Sequence, residues 1–203
     1  HIPIACSSLL APFLGIAPSA LLLLPLHVVL LEILIDPTCS IVLERQPAEE
    51  NVMDRAPRNP NEKLLTMRLL LKSVLQGIVM FATSFVAYFV TLNGNVANAP
   101  VARSMGLGII IIANIVLVQV NSSDRDFAFH SIKRLAKDWV MWAVDAGSIA
   151  LLLVILYTPV SSFLKLAPLT GMQLLAVFGL ATASVLWYEV VKLVKRLGKR
   201  KDI

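Results

Sequence analysis

Apolar runs that are long enough to cross a lipid bilayer recur along this chain, and they constrain its fold more than any other feature. A membrane-spanning helix needs about 20 mostly apolar residues. Runs of that kind lie at 20–43, 70–91, 104–120, 139–157 and 168–191, and a shorter run lies at 2–15. Hydrophobic residues make up 57% of the 203 residues and charged residues only 15%, which argues against a water-soluble enzyme. The sequence therefore predicts an all-α, polytopic transmembrane helix bundle of about six helices, the first of them truncated.

The first run ends early, at Gly15 and Pro18, and is too short to cross the bilayer. No lysine or arginine precedes Arg45, so the run lacks the basic start of a signal peptide. We expect the chain to be the C-terminal piece of a longer protein, with a first helix that has lost its inner half. A short re-entrant segment is the alternative interpretation.

The positive charges are placed as in a membrane protein. The net charge is +5, which by itself would also fit nucleic-acid binding. If the end of the second run lies in the cytoplasm, however, all but Arg103 and Lys165 of the 18 lysines and arginines fall on the cytoplasmic side. Short loops of multi-pass proteins show that bias. The sequence therefore predicts an integral, multi-pass protein in the lipid bilayer, with a cytoplasmic C-terminus and no nucleic-acid partner.

Two carboxylates interrupt the second apolar run. Glu32 and Asp36 stand four residues apart, so they share one helix face, and Pro37 follows the aspartate directly. Each charged carboxylate at the bilayer centre costs about 2.5–3.5 kcal/mol on insertion scales, which marks the pair as a candidate functional site. Because proline removes a backbone donor and disfavours helical geometry in the residue before it, we expect the helix to open at Asp36.

Carboxylate and backbone oxygens beside an opened turn would suit calcium, magnesium, manganese or alkali cations. On the fourth run, Asn114 is the deepest polar side chain and a candidate for a further oxygen ligand, although interhelical hydrogen bonding explains it equally well. Two other interpretations of the acidic pair stay open. One is a proline kink whose acids are protonated or paired elsewhere, and the other is a proton relay.

The loop after the second run completes a resemblance. Residues 50–60, with the sequence ENVMDRAPRNP, resemble the "(D/E)xxMxRxPRxP" stretch that follows the sixth transmembrane helix of P-type cation ATPases of the calcium-pump and sodium/potassium-pump branch. Residues 31–36, LEILID, are similar to the ion-binding stretch of that helix, and the opening residues HIPI resemble its fifth helix. The resemblance runs over essentially the whole chain, as helices five to ten.

The resemblance implies a role for each part of the chain. Residues 1–43 would form the first helix pair with the ion-site helix, 44–67 a cytoplasmic loop, and 68–203 a four-helix support bundle with a basic tail. Glu32, Asp36 and Asn114 would be the metal ligands, and the transported cation would be calcium or another hard cation. The chain departs from the family at Ile4, where several relatives carry a glutamate, and at His1, where some have an amide.

The resemblance also implies which parts lie elsewhere. The chain contains no DKTGT phosphorylation loop and no nucleotide-binding domain, so we expect no ATP hydrolysis by these residues alone and no catalytic or cofactor-binding residue among them. The parent protein would be the enzyme, using ATP and magnesium, and its remaining pump domains would be partners of this chain. A fragment of a proton-coupled secondary transporter and a non-catalytic membrane scaffold are the alternatives.

Overall fold

The fold is all-α, as predicted. A computed structural model describes residues 1–16, 18–45, 53, 66–121 and 139–199. These residues contain seven α-helices and no strand: α1 (Ile2–Phe13), α2 (Pro25–Glu44), α3 (Met67–Leu92), α4 (Ala99–Asn121), α5 (Trp139–Tyr157), α6 (Val160–Phe163) and α7 (Gly171–Lys199). Short 3-10 turns at Pro18–Ala20 and Val96–Asn98 precede α2 and α4. The cytoplasmic loop predicted at 44–67 and its 50–60 motif lie almost entirely outside the described residues.

Five of the described helical segments are long and apolar enough to cross a membrane. They are Pro18–Glu44, Leu69–Leu92, Val96–Asn121, Trp139–Tyr157 and Gly171–Tyr188. Each one matches an apolar run identified in the sequence. Helix α1 has only 12 residues, which rise about 18 Å and cannot cross a hydrocarbon core of about 30 Å. The prediction of five full spans and one short helix is therefore confirmed, and the chain is an integral, multi-pass membrane protein.

Helix α4 is the central helix of the bundle. It packs against α2, α3, α5 and α7, and every residue from 102 to 113 is buried. A helix that is apolar on all sides is expected at such a position. Glycine allows the close approach, because a Cβ added at Gly108 would lie 3.1 Å from Cγ1 of Val177 on α7. Helices α4 and α7 are therefore closely packed at this position.

Polar side chains tie together one end of the bundle, which we call the loop end because the described segments 14–16, 18–24, 93–98 and 158–170 lie there. The Arg103 side chain is buried, with 3% of the residue exposed. Its guanidinium donates to three backbone carbonyls, those of Leu21 (2.7 Å), Ser19 (2.5 Å) and Lys165 (3.4 Å). Helix α4 is thereby joined to both neighbouring connections.

Three further hydrogen bonds reinforce the loop end. Ser104 on α4 donates its hydroxyl to the carbonyl of Ala167 (2.7 Å) and accepts the amide of the same residue (2.9 Å). Tyr88 donates its hydroxyl to the carbonyl of Ala20. Since buried backbone carbonyls need donors, these contacts satisfy groups that the irregular connections would otherwise leave unpaired.

Candidate cation site

Glu32 and Asp36 lie on one face of α2, as their spacing predicts, and His1 lies beside both. The His1 ring Nδ1 is 3.1 Å from Oε1 of Glu32, and its Nε2 is 3.8 Å from Oδ1 of Asp36. One ligand atom from each of the three side chains can be chosen so that all lie within 4.8 Å of one another. Glu32 is close to the middle of the candidate span Pro18–Glu44. The site is therefore far from both ends of that helix.

The helix does not open at Asp36, so that prediction is wrong. Helix α2 runs without interruption from Pro25 to Glu44, with Pro37 inside it. Proline removes one amide donor, the one that would reach the carbonyl of Ile33. The hydroxyl of Thr38 donates to the carbonyl of Leu34 at 2.6 Å and adds a bond next to the gap. The loss of one bond in a 20-residue helix is evidently tolerated, and the site is built on a continuous helix.

Asn114 reaches the same small pocket as Glu32. The pocket is lined by His1, Pro3, Ile4, Leu31, Glu32, Ile35, Ile110 and Asn114. The Asn114 amide nitrogen donates to the carbonyl of Ile110 on its own helix at 2.8 Å. Because the nitrogen is used in that bond, the side-chain oxygen of Asn114 is the atom that could coordinate a cation. The structure thus brings two of the three predicted ligands into one pocket, while Asp36 stands beside it, next to His1.

The acidic face is open toward the outside of the described bundle. The side chains of Glu32, Asp36 and His1 are 39%, 57% and 71% exposed, respectively. Carboxylates in a membrane span are costly when they face lipid, and they are found almost always against protein or a water-filled cavity. We therefore expect the exposed pair to bind a cation, to pack against another part of the protein, or both.

Other polar residues of the spans form structural contacts instead. His27 is fully buried; its Nδ1 accepts the amide of Leu24 at 3.2 Å, and its Nε2 lies 2.7 Å from the carbonyl of Leu164. His27 therefore joins the start of α2 to the segment that follows α6. Gln119 donates to Asp145 across helices α4 and α5 at 2.9 Å, so these two hold neighbouring helices together.

Asn121 is also an interhelical contact. Its amide exchanges hydrogen bonds of 3.3 and 3.4 Å with the amide of Gln76 on α3. Interhelical hydrogen bonding of this kind stabilises helix packing in membranes. The two asparagines of α4 therefore differ, since Asn114 lines the pocket and Asn121 makes a helix contact.

The sequence alone did not place His1 at the site. It lies 31 residues before Glu32, and sequence spacing does not predict which residues of two different helices come into contact. Its carbonyl accepts a hydrogen bond from the amide of Ala5, so His1 directly precedes α1 and its ring lies at the N-terminal end of that helix. The one hint in the sequence was the family resemblance, in which some relatives have an amide side chain at the position of His1.

The helices and the acidic site together define a class: a multi-pass membrane protein with a polar site within its helix bundle. Residues 20–194 match the family described as "Cation transporting ATPase, C-terminus", and the chain belongs to that family. It is also similar to a calcium-transporting ATPase of Bacillus subtilis (strain 168), with 22% identity over 160 residues. The aligned part is 78% of this chain and 18% of the length of that relative.

These matches confirm the resemblance to P-type cation ATPases. They assign the chain to the membrane portion of a cation-transporting ATPase and favour this assignment over a secondary transporter. The chain spans less than a fifth of its relative, so the family match describes one region of such proteins.

Proposed function

We propose that this chain forms the cation-binding part of the translocation pathway of an ATP-driven pump, with Glu32, Asp36 and Asn114 as ligands. The observation that carries the proposal is the meeting of Glu32 and Asn114 in one pocket near the middle of the span, with Asp36 one helical turn further along α2. Oxygen atoms from two carboxylates and one amide suit a divalent cation, and the cation would balance their charge.

The remaining parts of the pump would lie outside this chain. In this proposal they bind ATP and magnesium, and they supply the surface that covers the open face of Glu32 and Asp36. Residues 44–67 would run beneath those domains on the cytoplasmic side, together with the basic C-terminus. The support for this orientation is the charge bias, in which Arg103 and Lys165 alone fall on the opposite side.

Transport requires two conformations that differ in their affinity for the same cation. Helix α2 carries both carboxylates on a continuous rod, whereas Asn114 sits on the central helix α4. A shift of α2 relative to α4 would therefore change the distance between the Glu32 carboxylate and the Asn114 oxygen. In this account, the phosphorylation cycle of the rest of the pump moves α2 and so changes cation affinity.

The test is cation-stimulated ATPase activity of the full-length gene product in lipid. Asp36→Asn keeps the size of the side chain and removes its charge, and we expect it to lower cation-stimulated activity by about tenfold or more, because a ligand is weakened. Asp145→Asn is the matched control: it makes the same change at another membrane-embedded aspartate, which contacts Gln119 instead of the site.

The proposal predicts a loss in Asp36→Asn and near-normal activity in Asp145→Asn. Unchanged cation dependence in a folded Asp36→Asn variant would reject the site. A proton relay would leave a different signature, since the variant would then lose proton movement while it keeps the affinity for metal cations.

A further inference from the structure

His1 offers the site a nitrogen ligand in addition to its oxygens. Its ring lies between the two carboxylates, with its nitrogens 3.1 Å from Glu32 and 3.8 Å from Asp36. A tetrahedral ion with metal–ligand bonds of about 2.0–2.2 Å holds its ligand atoms roughly 3.3–3.6 Å apart. The three side chains, whose ligand atoms lie within 4.8 Å of one another, could therefore enclose one ion after side-chain shifts of about an ångström.

The described residues around the pocket offer few side-chain oxygens for a large hard cation. Calcium takes six to eight oxygen ligands, whereas the oxygen-bearing side chains that the described residues bring to this cluster and pocket are those of Glu32, Asp36 and Asn114. The other lining residues, including Ile4 and Ile35, have aliphatic side chains. An imidazole beside two carboxylates is instead a ligand set for first-row divalent metals, because imidazole suits zinc, copper, iron and nickel, and carboxylates also suit manganese.

We propose that the transported cation is a first-row divalent transition metal, such as Zn²⁺ or Mn²⁺, and that His1 binds it together with Glu32 and Asp36. This inference rests on the proposed function, because it names the class of cation for the same site. Selectivity against Ca²⁺ then comes from the ring nitrogen of His1, while the carboxylates supply charge to any divalent ion.

The experiment measures equilibrium binding of radioactive Zn²⁺ and Ca²⁺ to the full-length gene product in lipid nanodiscs. We expect the unmodified protein to bind Zn²⁺ more tightly than Ca²⁺. His1→Gln replaces the ring with an amide that offers an oxygen, so Zn²⁺ affinity should fall by about tenfold or more, while Ca²⁺ affinity changes by less than about threefold. Asp145→Asn, the matched control, should change neither affinity.

The outcomes separate the two proposals. If His1→Gln leaves the ratio of Zn²⁺ to Ca²⁺ affinity unchanged while Asp36→Asn weakens both, the cation site stands and the role of His1 is rejected; the ring is then only a counter-charge for the acids. If Asp36→Asn weakens neither, the proposed function itself fails.

A second measurement needs no variant that must fold. Pulsed electron paramagnetic resonance of Mn²⁺ bound to the unmodified protein should show coupling to an imidazole ¹⁴N nucleus. Stoichiometric Mn²⁺ without nitrogen coupling would overturn the inference, whatever the behaviour of the His1 variant.

Discussion

The buried guanidinium of Arg103 provides a quantitative test of how the loop end is held. Arg103→Met keeps a long side chain but removes every donor that now reaches the carbonyls of Ser19, Leu21 and Lys165. The matched control is Lys165→Met, because Lys165 is an exposed cation at the same end and accepts through its backbone carbonyl, which the substitution keeps.

The expected magnitude follows from the three distances. The bond of 2.7 Å to Leu21 has an ordinary length and the contact with Ser19 is close, whereas the bond of 3.4 Å to Lys165 is long and weak. Hydrogen bonds to a charged group contribute about 1.5–3 kcal/mol each, and part of that sum is offset by the cost of burying the charge. We therefore expect a local destabilisation of about 3 kcal/mol, or roughly a hundredfold in the opening equilibrium of the loops.

Hydrogen–deuterium exchange of the full-length gene product in nanodiscs reads this local stability directly. Backbone amides in segments 18–24 and 164–167 should exchange roughly a hundred times faster in Arg103→Met, and within a factor of about three of the unmodified rate in Lys165→Met. Equal protection in the two variants would refute the idea that the guanidinium holds the two connections against α4.

Two further predictions use the same exchange assay. A Cβ added at Gly77 on α3 would lie 2.7 Å from Cβ of Ile2, so Gly77→Ala should destabilise the packing of α1 by about 1–3 kcal/mol. Gly179→Ala, where nothing lies within 4 Å of the added Cβ, is the control and should be neutral or stabilising; equal effects of the two substitutions would contradict the packing of α1 on α3. Tyr88→Phe should destabilise segment 18–24 by about 1–3 kcal/mol, because the carbonyl of Ala20 loses its donor, and unchanged exchange there would contradict the assignment of that bond.

The spans and the acidic face could be predicted because they depend on local rules. Apolar length alone locates a membrane helix, and a spacing of four residues alone places Glu32 and Asp36 on one side of α2. Neither inference requires knowledge of how two helices are oriented relative to each other. For that reason the five spans and the shared face agree with the structure.

The parts that could not be predicted depend on contacts across turns. His1 meets Glu32 although α1 packs mainly against α3, and nothing in the local sequence pattern encodes how these helices are placed relative to α2. Arg103 counted in the sequence only as a charge near a helix end. Its burial depends on carbonyls from two separate connections that fold back over α4.

Helix α2 shows a local rule that was applied too strongly. Pro37 predicted an opened turn, yet the helix continues to Glu44. The hydroxyl of Thr38 bonds the carbonyl of Leu34 on one side and lies 3.2 Å from the hydroxyl of Ser148 on α5 on the other. Packing against α5 thus supports the helix next to the proline, and this neighbour could not be identified from the sequence.

The position of the bound cation is the most direct test of the account. Mn²⁺ suits carboxylate ligands with or without an imidazole, so its anomalous scattering in crystals of the full-length gene product locates the site whichever cation is transported. We expect a peak within about 2.0–2.6 Å of a carboxylate oxygen of both Glu32 and Asp36. Peaks confined to other positions, with these two side chains turned toward lipid, would contradict it.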